Sequence, residues 1–182
     1  MSPRVIAGHL GGRRLSTPAG RGTRPTSERV REALFSLLGT LDGETVLDLF
    51  AGSGALGVEA LSRGAARAVF VERSHGALCA LARNVRDLGL ADGHAELRRD
   101  DVARALRTAR NGRETYDLIF IDPPYRHASA LGQELSALLV PLLSPAARVI
   151  TESDRRDPLG LDLALGDERR YGDTLIRIYR HP

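Results

Sequence analysis

Apolar runs alternate with stretches of helical periodicity through most of the chain after residue 44. The apolar runs are TVLDLF, ARAVFVE, HAELRRD, YDLIFID and ARVITES, and the helical stretches between them are GALGVEALSRG, HGALCALARNVRDLG, DVARALRTAR and ASALGQELSALLVPLL. Because each run is apolar along its length, the pattern predicts a parallel sheet covered by helices on both faces, an α/β fold. The stretch LDLALGDERRYGDTLIRIYR contains two alternating strands without a helix, which predicts a closing antiparallel hairpin.

The first 44 residues have a different pattern. RVIAGHLGGRRLSTP predicts a small hairpin of two short strands about a Gly11-Gly12 turn, and AGRGTRPT predicts a flexible basic loop. A helix should follow, with Thr26 or Ser27 as its cap. Its apolar residues recur at helical spacing: Val30, Leu34, Leu37 and Leu38.

Charge divides the chain in the same way. All 26 basic residues are arginine, which we interpret as a GC-rich coding bias. Residues 1–31 carry a net charge of +6, so the rest must sum to −3 to give the total of +3. The seven arginines of this stretch are Arg4, Arg13, Arg14, Arg21, Arg24, Arg29 and Arg31. We predict a basic arm over residues 1–22 that meets a polyanion and a separate domain over residues 23–182; the alternative is a solvated basic tail without a partner.

Several classes of protein are disfavoured. No run approaches the roughly 18 apolar residues of a membrane span, and the N-terminus lacks an apolar signal region, so we expect a cytoplasmic protein with no membrane partner. The only cysteine, Cys79, excludes an internal disulfide and is expected to be a small core residue. The histidines at 75, 94, 127 and 181 have no ligand spacing, and we predict no metal site.

A glycine-rich turn follows the first predicted strand. Gly52, Gly54 and Gly57 form GxGxxG. This motif alone indicates only that the backbone there approaches a nucleotide closely or that the following helix packs closely against the strand. Asp48 precedes this turn, and Glu72 ends the second strand, where it could accept hydrogen bonds from ribose hydroxyls. An acid on each side favours S-adenosylmethionine, whose aminoacyl and sulfonium groups are positive. NAD, which needs only the second acid, and a purely structural turn are the alternatives.

Two acids, Asp100 and Asp101, follow the third predicted strand at the same sheet edge. Either carboxylate could accept a hydrogen bond from an adenine amino group, and either could cap the next helix. We predict that Asp101 contacts the adenine.

The fourth strand ends in Asp122-Pro123-Pro124-Tyr125, beside the first strand at the predicted switch point of the sheet. Asp122 and the Pro123 carbonyl could hold the two hydrogens of an exocyclic purine amine and direct its lone pair towards a methyl donor. Tyr125 offers a flat face for an extruded base. A strand end without chemistry is the alternative.

DLFAGSGALGVEALSRG followed by DPPY resembles class I S-adenosylmethionine-dependent methyltransferases that act on exocyclic amines. With RVIAGHLGGRRLSTP, TRPTSERVREALF and TESD added, the chain resembles the bacterial RsmD family, which methylates guanine N2 in 16S ribosomal RNA. The resemblance implies a Rossmann-like, seven-stranded, mostly parallel sheet with an appended N-terminal hairpin, S-adenosylmethionine as cofactor and residues 122 to 125 as the catalytic corner. It also makes Arg24, Thr26 and Arg29 candidates for substrate or cofactor contacts.

The resulting site has three parts. The catalytic set is Asp122, Pro123, Pro124 and Tyr125. The cofactor-binding set is Asp48, Ala51, Gly52, Ser53, Gly54, Gly57, Glu72, Arg73 and Asp101. The RNA-binding set is Arg4, Arg13, Arg14, Arg21, Arg24, Thr26 and Arg29, and Glu152 is a candidate for lining the substrate pocket.

We therefore predict a monomeric rRNA (guanine-N2)-methyltransferase whose substrate is 16S rRNA within a partly or fully assembled small subunit. Adenine N6 in another nucleic acid is an alternative acceptor. A dinucleotide-binding oxidoreductase and a non-catalytic RNA-binding module are alternatives from other classes.

Overall fold

A computed structural model describes residues 3–18, 27–124 and 128–181, without the side chains of residues 128–130. Within these residues the five α-helices are α1 (Glu28–Leu38), α2 (Ala55–Ser62), α3 (His75–Asp87), α4 (Val102–Asn111) and α5 (Ala128–Leu139). The seven strands are β1 (Thr45–Leu49), β2 (Arg67–Val71), β3 (Ala95–Arg98), β4 (Tyr116–Ile121), β5 (Leu143–Asp154), β6 (Ala164–Tyr171) and β7 (Thr174–Arg180). These elements confirm the alternation predicted from the apolar runs. None of the described helices has both the length and the apolar character needed to span a bilayer.

The seven strands form one sheet in the order β3-β2-β1-β4-β5-β7-β6. Strands β1 to β5 are parallel, β7 runs antiparallel to β5, and β6 pairs antiparallel with β7. The chain moves outwards from β1 to β3 and then returns to place β4 on the other side of β1. This reversal confirms the predicted switch point, where ligands enter between the loops that follow the two central strands.

Both faces of the sheet are covered. Residues from α1, α2, α3 and the N-terminal segment form one apolar cluster with Phe70 and Phe120. Residues from α4 and α5 form the other with Val69 and Ile119. Since neighbouring residues of a strand point to opposite faces, β2 and β4 contribute to both clusters, which explains why these strands are apolar throughout.

Helix α1 crosses the first of these faces. Ser27 is its cap and accepts a hydrogen bond from the Val30 backbone N–H, so the predicted capping is confirmed for Ser27. Of the four apolar residues at helical spacing, Leu37 is 43% exposed, while Arg31 and Phe35 lie on the buried face. A charged residue thus occupies a position that hydrophobic spacing alone does not predict.

The N-terminal residues 3–15 fold back on themselves, but their strand pairing is limited to one bridge between Arg4 and Arg14. The predicted hairpin is present, since the Val5 N–H donates to the Arg13 carbonyl and the Leu15 N–H donates to the Pro3 carbonyl, but its two sides do not form regular strands. The reason lies in α2, where Glu59 accepts hydrogen bonds from the backbone N–H groups of Ile6 and Ala7. Ser62 similarly accepts one from Leu10. The N–H groups of Ile6, Ala7 and Leu10 are thus directed to side chains of α2 rather than to the opposite side of the hairpin.

Cys79 lies on α3, and the prediction that it is a core residue is wrong because the side chain is exposed. The buried face of α3 consists of Ala77, Ala80, Leu81, Asn84 and Val85. Cys79 falls outside this stripe and faces solvent next to His75, whose Nε2 lies 3.6 Å from the sulfur. The apolar residues around Cys79 in the sequence did not show whether Cys79 lies on the buried or the exposed face of α3.

Candidate active site at the carboxyl edge of the sheet

The ends of four parallel strands are level at one edge of the sheet. Leu49 of β1 pairs with Val71 of β2 on one side and with Ile121 of β4 on the other. Ile121 in turn pairs with Thr151 of β5. The next residues along these strands are Phe50, Glu72, Asp122 and Glu152. The register therefore brings three carboxylates predicted to have functional roles to the same edge.

Asp48 lies just below this edge and is almost completely buried. Its Oδ2 accepts a hydrogen bond of 3.0 Å from the backbone N–H of Gly57 in the first turn of α2. Helix α2 has no side-chain cap of its own at Gly54, so Asp48 supplies one from the neighbouring strand. Burial raises the pKa of Asp48 to about 7, although the Gly57 hydrogen bond acts in the opposite direction. A cation bound beside Asp48 would favour its charged form.

The three glycines of the turn have different surroundings. A Cβ at Gly57 would lie 2.3 Å from the Phe70 ring, and one at Gly54 would lie 2.4 Å from the Leu81 side chain. Both are therefore required for close packing of α2 against β2 and α3. Gly52 has a φ of +57° and open space where a side chain would be, with the nearest atom 4.0 Å away. This open position beside Asp48 and Glu72 fits a bound cofactor that approaches the backbone closely.

The backbone between Asp48 and the glycine turn is strained. Phe50 has a φ of +62°, one of two positive values at non-glycine residues of the described chain. For a bulky residue this conformation costs of the order of 1–3 kcal/mol, and such strain is concentrated at functional sites. The Ala51 N–H donates to the Val71 carbonyl at 3.0 Å, which fixes the chain just after the strained residue.

Glu72 organises the loop after β2. One carboxylate oxygen accepts a hydrogen bond from the Gly52 N–H at 2.9 Å and the other accepts one from the Ser74 N–H at 2.6 Å. Glu72 thus connects the two loops that would surround a cofactor. Arg73 is exposed beside it.

Asp101 is the N-cap of α4 and accepts a hydrogen bond of 3.0 Å from the Arg104 N–H. Asp100 accepts one from the Asp101 N–H and forms an ion pair with the Arg104 side chain. The capping alternative thus holds for Asp101. Its contact with an adenine stays a prediction.

The chain after β4 turns at Asp122, which is half-buried. Pro123 is buried and Pro124 is exposed. Tyr125, the last residue of the predicted catalytic set, lies outside the described residues. The described part of this corner therefore presents one carboxylate at the edge, directly across β1 from Glu72.

Comparisons with known proteins agree with this geometry. Residues 3–180 match the family described as conserved hypothetical protein 95. The chain is 39% identical to "Putative rRNA methyltransferase YlbH" of Bacillus subtilis, with 97% of this chain and 98% of that protein covered. It is 35% identical to ribosomal RNA small subunit methyltransferase D of Escherichia coli, with 97% and 89% covered. The chain belongs to the RsmD family. Members of this family are S-adenosylmethionine-dependent.

The fold agrees as well. The solved structure "Putative methyltransferase yhhF" from Escherichia coli is 33% identical in sequence and superposes with a TM-score of 0.83. The superposition covers 100% of this chain and 98% of that chain. The Rossmann-like, mostly parallel fold predicted from the sequence is thus confirmed.

Of the basic residues predicted to contact RNA, this RsmD family member exposes four within the described ranges: Arg4, Arg13, Arg14 and Arg29. Arg4 forms an ion pair with Glu28 at 3.1 Å, and Arg13 donates to the Asp87 carbonyl at 2.9 Å. Arg21, Arg24 and Thr26 lie outside the described residues. Arg31, the remaining arginine of residues 1–31, is buried and donates to the Arg4 carbonyl. Desolvation lowers its pKa.

Sequence reasoning missed the residue that joins the N-terminal arm to the glycine turn. Asn84 on α3 is buried and donates from Nδ2 to the Ser53 carbonyl at 2.9 Å and to the Ser16 carbonyl at 3.0 Å. Its Oδ1 accepts from the Ser16 N–H at 2.7 Å. A polar residue at a core position of a helix is the one sequence signal that could have indicated such a role. The described residues contain no group of three potential metal ligands.

Proposed function

We propose that this chain transfers a methyl group from S-adenosylmethionine to the exocyclic N2 amine of a guanine in 16S ribosomal RNA. One observation carries the proposal: Glu72 and Asp122 flank the end of β1 at one level, with Asp48 and the glycine turn between them. A cofactor bound at the glycine turn and an acceptor base held by Asp122 would therefore adjoin at this edge of the sheet. Membership of a family with relatives named as small subunit rRNA methyltransferases supports rRNA as the substrate.

The described residues fit the cofactor. Gly52 leaves open space for a ligand, and Glu72 fixes the adjoining loop while its carboxylate can accept further hydrogen bonds from ribose hydroxyls. Asp48 provides a buried carboxylate close to the positive groups of the cofactor. When bound, S-adenosylmethionine supplies a methyl group activated by attachment to a sulfonium. Ala51, Ser53, Gly54, Gly57, Arg73 and Asp101 complete the proposed cofactor-binding set.

At the other side of the crevice, Asp122 would hold the acceptor. An exocyclic amine is a weak nucleophile because its lone pair is delocalised into the purine ring. Hydrogen bonds from its two N–H groups to the Asp122 carboxylate and the Pro123 carbonyl would orient the lone pair and stabilise positive charge on nitrogen. Pro123 and Pro124 restrict the backbone that carries these acceptors. Tyr125 is proposed to stack on the extruded base.

Exposed arginines of the N-terminal segment would bind the RNA backbone. Phosphate contacts position a protein on nucleic acid, whereas base contacts specify the site. Because the described arm presents few cations, we propose that a partly or fully assembled small subunit in the cytoplasm is the substrate, bound by a monomer.

The test is methyl transfer from labelled S-adenosylmethionine to naked 16S rRNA and to small subunits purified from a strain that lacks this enzyme. Nucleoside analysis of the product should find N2-methylguanosine at one position, with faster transfer to subunits. N6-methyladenosine would reject guanine as the acceptor. Equal rates on both substrates would reject the assembled subunit.

A further inference from the structure

Glu152 is a buried carboxylate that neither the cofactor set nor the catalytic set contains. It is 3% exposed and lies on β5, immediately beyond the Thr151 residue that pairs with Ile121 of β4. Adjacent strands are about 4.8 Å apart, so the register sets Glu152 beside Asp122. Burial of a charged group in a strand of the central sheet is costly and indicates a specific role.

Glu152 and Asp122 also share a face of the sheet. Phe120 and Ile150 are paired neighbours that both belong to the α1 side of the core, and Asp122 and Glu152 follow them by two residues. Because side chains alternate along a strand, a separation of two residues returns to the same face. Thr151 and Ser153 point to the opposite face.

Helix α1 runs across this face towards Glu152 with its first turn nearest the edge. The Phe35 ring lies 5.7 Å from the Phe120 ring, and the Leu38 carbonyl at the other end accepts from Arg148 at 2.8 Å. Arg148 is four residues before Glu152 on β5, at the end of the pairing with β7 that lies away from this edge. The start of α1, where the arginine-rich segment joins, is therefore directed to the edge where the two carboxylates lie.

Two carboxylates side by side match the Watson–Crick edge of guanine. That edge presents two neighbouring hydrogen-bond donors, the ring N1–H and the exocyclic N2 amine. Adenine presents an unprotonated N1, a lone pair that a carboxylate would repel. If Asp122 accepts from the exocyclic amine, the neighbouring acceptor faces the ring N1 position.

We propose that Glu152 accepts a hydrogen bond from guanine N1–H and is the residue that selects guanine over adenine. This inference rests on the proposed guanine-N2 methyl transfer. A carboxylate that faces an unprotonated N1 forms no hydrogen bond with it and repels its lone pair, so a base without N1–H should be rejected strongly.

The experiment compares guanine with 2-aminopurine at the position that the wild-type enzyme methylates, in small subunits reconstituted with the modified 16S rRNA. 2-Aminopurine keeps the exocyclic amine at C2 but has an unprotonated N1. Wild-type kcat/KM should be at least about 100-fold higher for guanine. Glu152→Gln, whose amide can donate to an unprotonated N1, should reduce this ratio at least tenfold.

Thr151→Val is the matched control, because it changes a buried polar side chain of the same strand on the opposite face. It should leave the guanine to 2-aminopurine ratio unchanged. Equal losses on both bases in Glu152→Gln, with the ratio preserved, would assign Glu152 a structural role and overturn the inference.

Wild-type enzyme alone provides a second test that needs no variant. Equal methylation of guanine and 2-aminopurine would reject N1–H recognition even if Glu152→Gln fails to fold. Failure of the proposed function can be distinguished from failure of this inference, because the wild-type enzyme would then yield no N2-methylguanosine from unmodified subunits.

Discussion

The Asp48 carboxylate of β1 caps α2 by accepting the Gly57 N–H at 3.0 Å, across the glycine turn that lies between them in sequence. This bond joins the end of the central strand to the helix whose start would face the cofactor. The same carboxylate is buried, and its pKa is raised to about 7. Asp48 therefore caps α2, and burial disfavours its ionised form when no cation is bound beside it.

Replacement of Asp48 by Asn should increase stability at high pH and weaken cofactor binding. The folded protein retains the Asp48 proton up to about pH 7, whereas the unfolded chain releases it near the ordinary aspartate pKa of 3.8. The wild-type free energy of unfolding should therefore decrease as the pH rises from about 4 to 7, because the unfolded chain loses this proton first. Asn keeps an acceptor for Gly57 without this penalty, so its free energy of unfolding at pH 8 should be higher by up to roughly 4 kcal/mol.

Thermal unfolding at pH 5 and 8 and titration of S-adenosylmethionine check this prediction. Wild-type affinity for the cofactor should rise as the pH passes 7, and Asp48→Asn should lose that dependence. Asp92→Asn, an exposed change of the same kind, is the control. A variant that binds the cofactor as well as the wild type would remove Asp48 from the site.

The glycines of the turn should separate into two kinds when changed to alanine. Gly57→Ala should destabilise the fold by about 1 to 3 kcal/mol, because its Cβ overlaps the Phe70 ring. Gly52→Ala should cost only about 1 kcal/mol of backbone strain but should weaken cofactor binding at least tenfold.

Gly43→Ala is the control for strain, since Gly43 has a positive φ and open surroundings between α1 and β1. Chemical denaturation and cofactor titration on all three variants provide the measurements. Wild-type affinity in Gly52→Ala would contradict a cofactor beside this glycine.

Asn84→Ala should loosen both the N-terminal arm and the glycine turn. Three hydrogen bonds to Ser16 and Ser53 are lost at a buried position, so the free energy of unfolding should fall by about 2 kcal/mol. Hydrogen exchange should increase at both segments. Faster exchange at the arm alone would show that the bond to Ser53 does not hold the turn.

Charge reversal at Arg13 and Arg14 should weaken RNA binding and reduce its dependence on salt. Each lost phosphate contact should lower the slope of log affinity against log salt concentration by about one. Reversal of Arg169 and Arg170, on the far edge strand β6, is the matched control. Filter binding of 16S rRNA at several salt concentrations measures the slopes; identical slopes for the two double variants would exclude this part of the arm.

The main sheet could be predicted because its strands are apolar on both faces and its helices are periodic. These local patterns also located Asp48, Glu72 and Asp122 at strand ends, from which a parallel topology brings them together. The C-terminal hairpin followed from two alternating runs without a helix between them.

The sequence did not predict contacts that depend on distant side chains. The strand pairing of the N-terminal hairpin was overestimated because Glu59 and Ser62, more than 50 residues away, accept hydrogen bonds from the Ile6 and Leu10 backbone N–H groups. The exposure of Leu37 and Cys79 depends on the rotation of each helix against the sheet. The strained backbone of Phe50 likewise results from the tertiary position of the glycine turn and has no local signal.

The central claim is that Asp122 holds the amine that receives the methyl group. The most direct test measures methyl transfer to small subunits and S-adenosylmethionine affinity for wild type and Asp122→Ala. We predict that the variant loses transfer by at least about 1,000-fold while its affinity for the cofactor stays within about threefold. Transfer retained within tenfold of wild type would contradict the account.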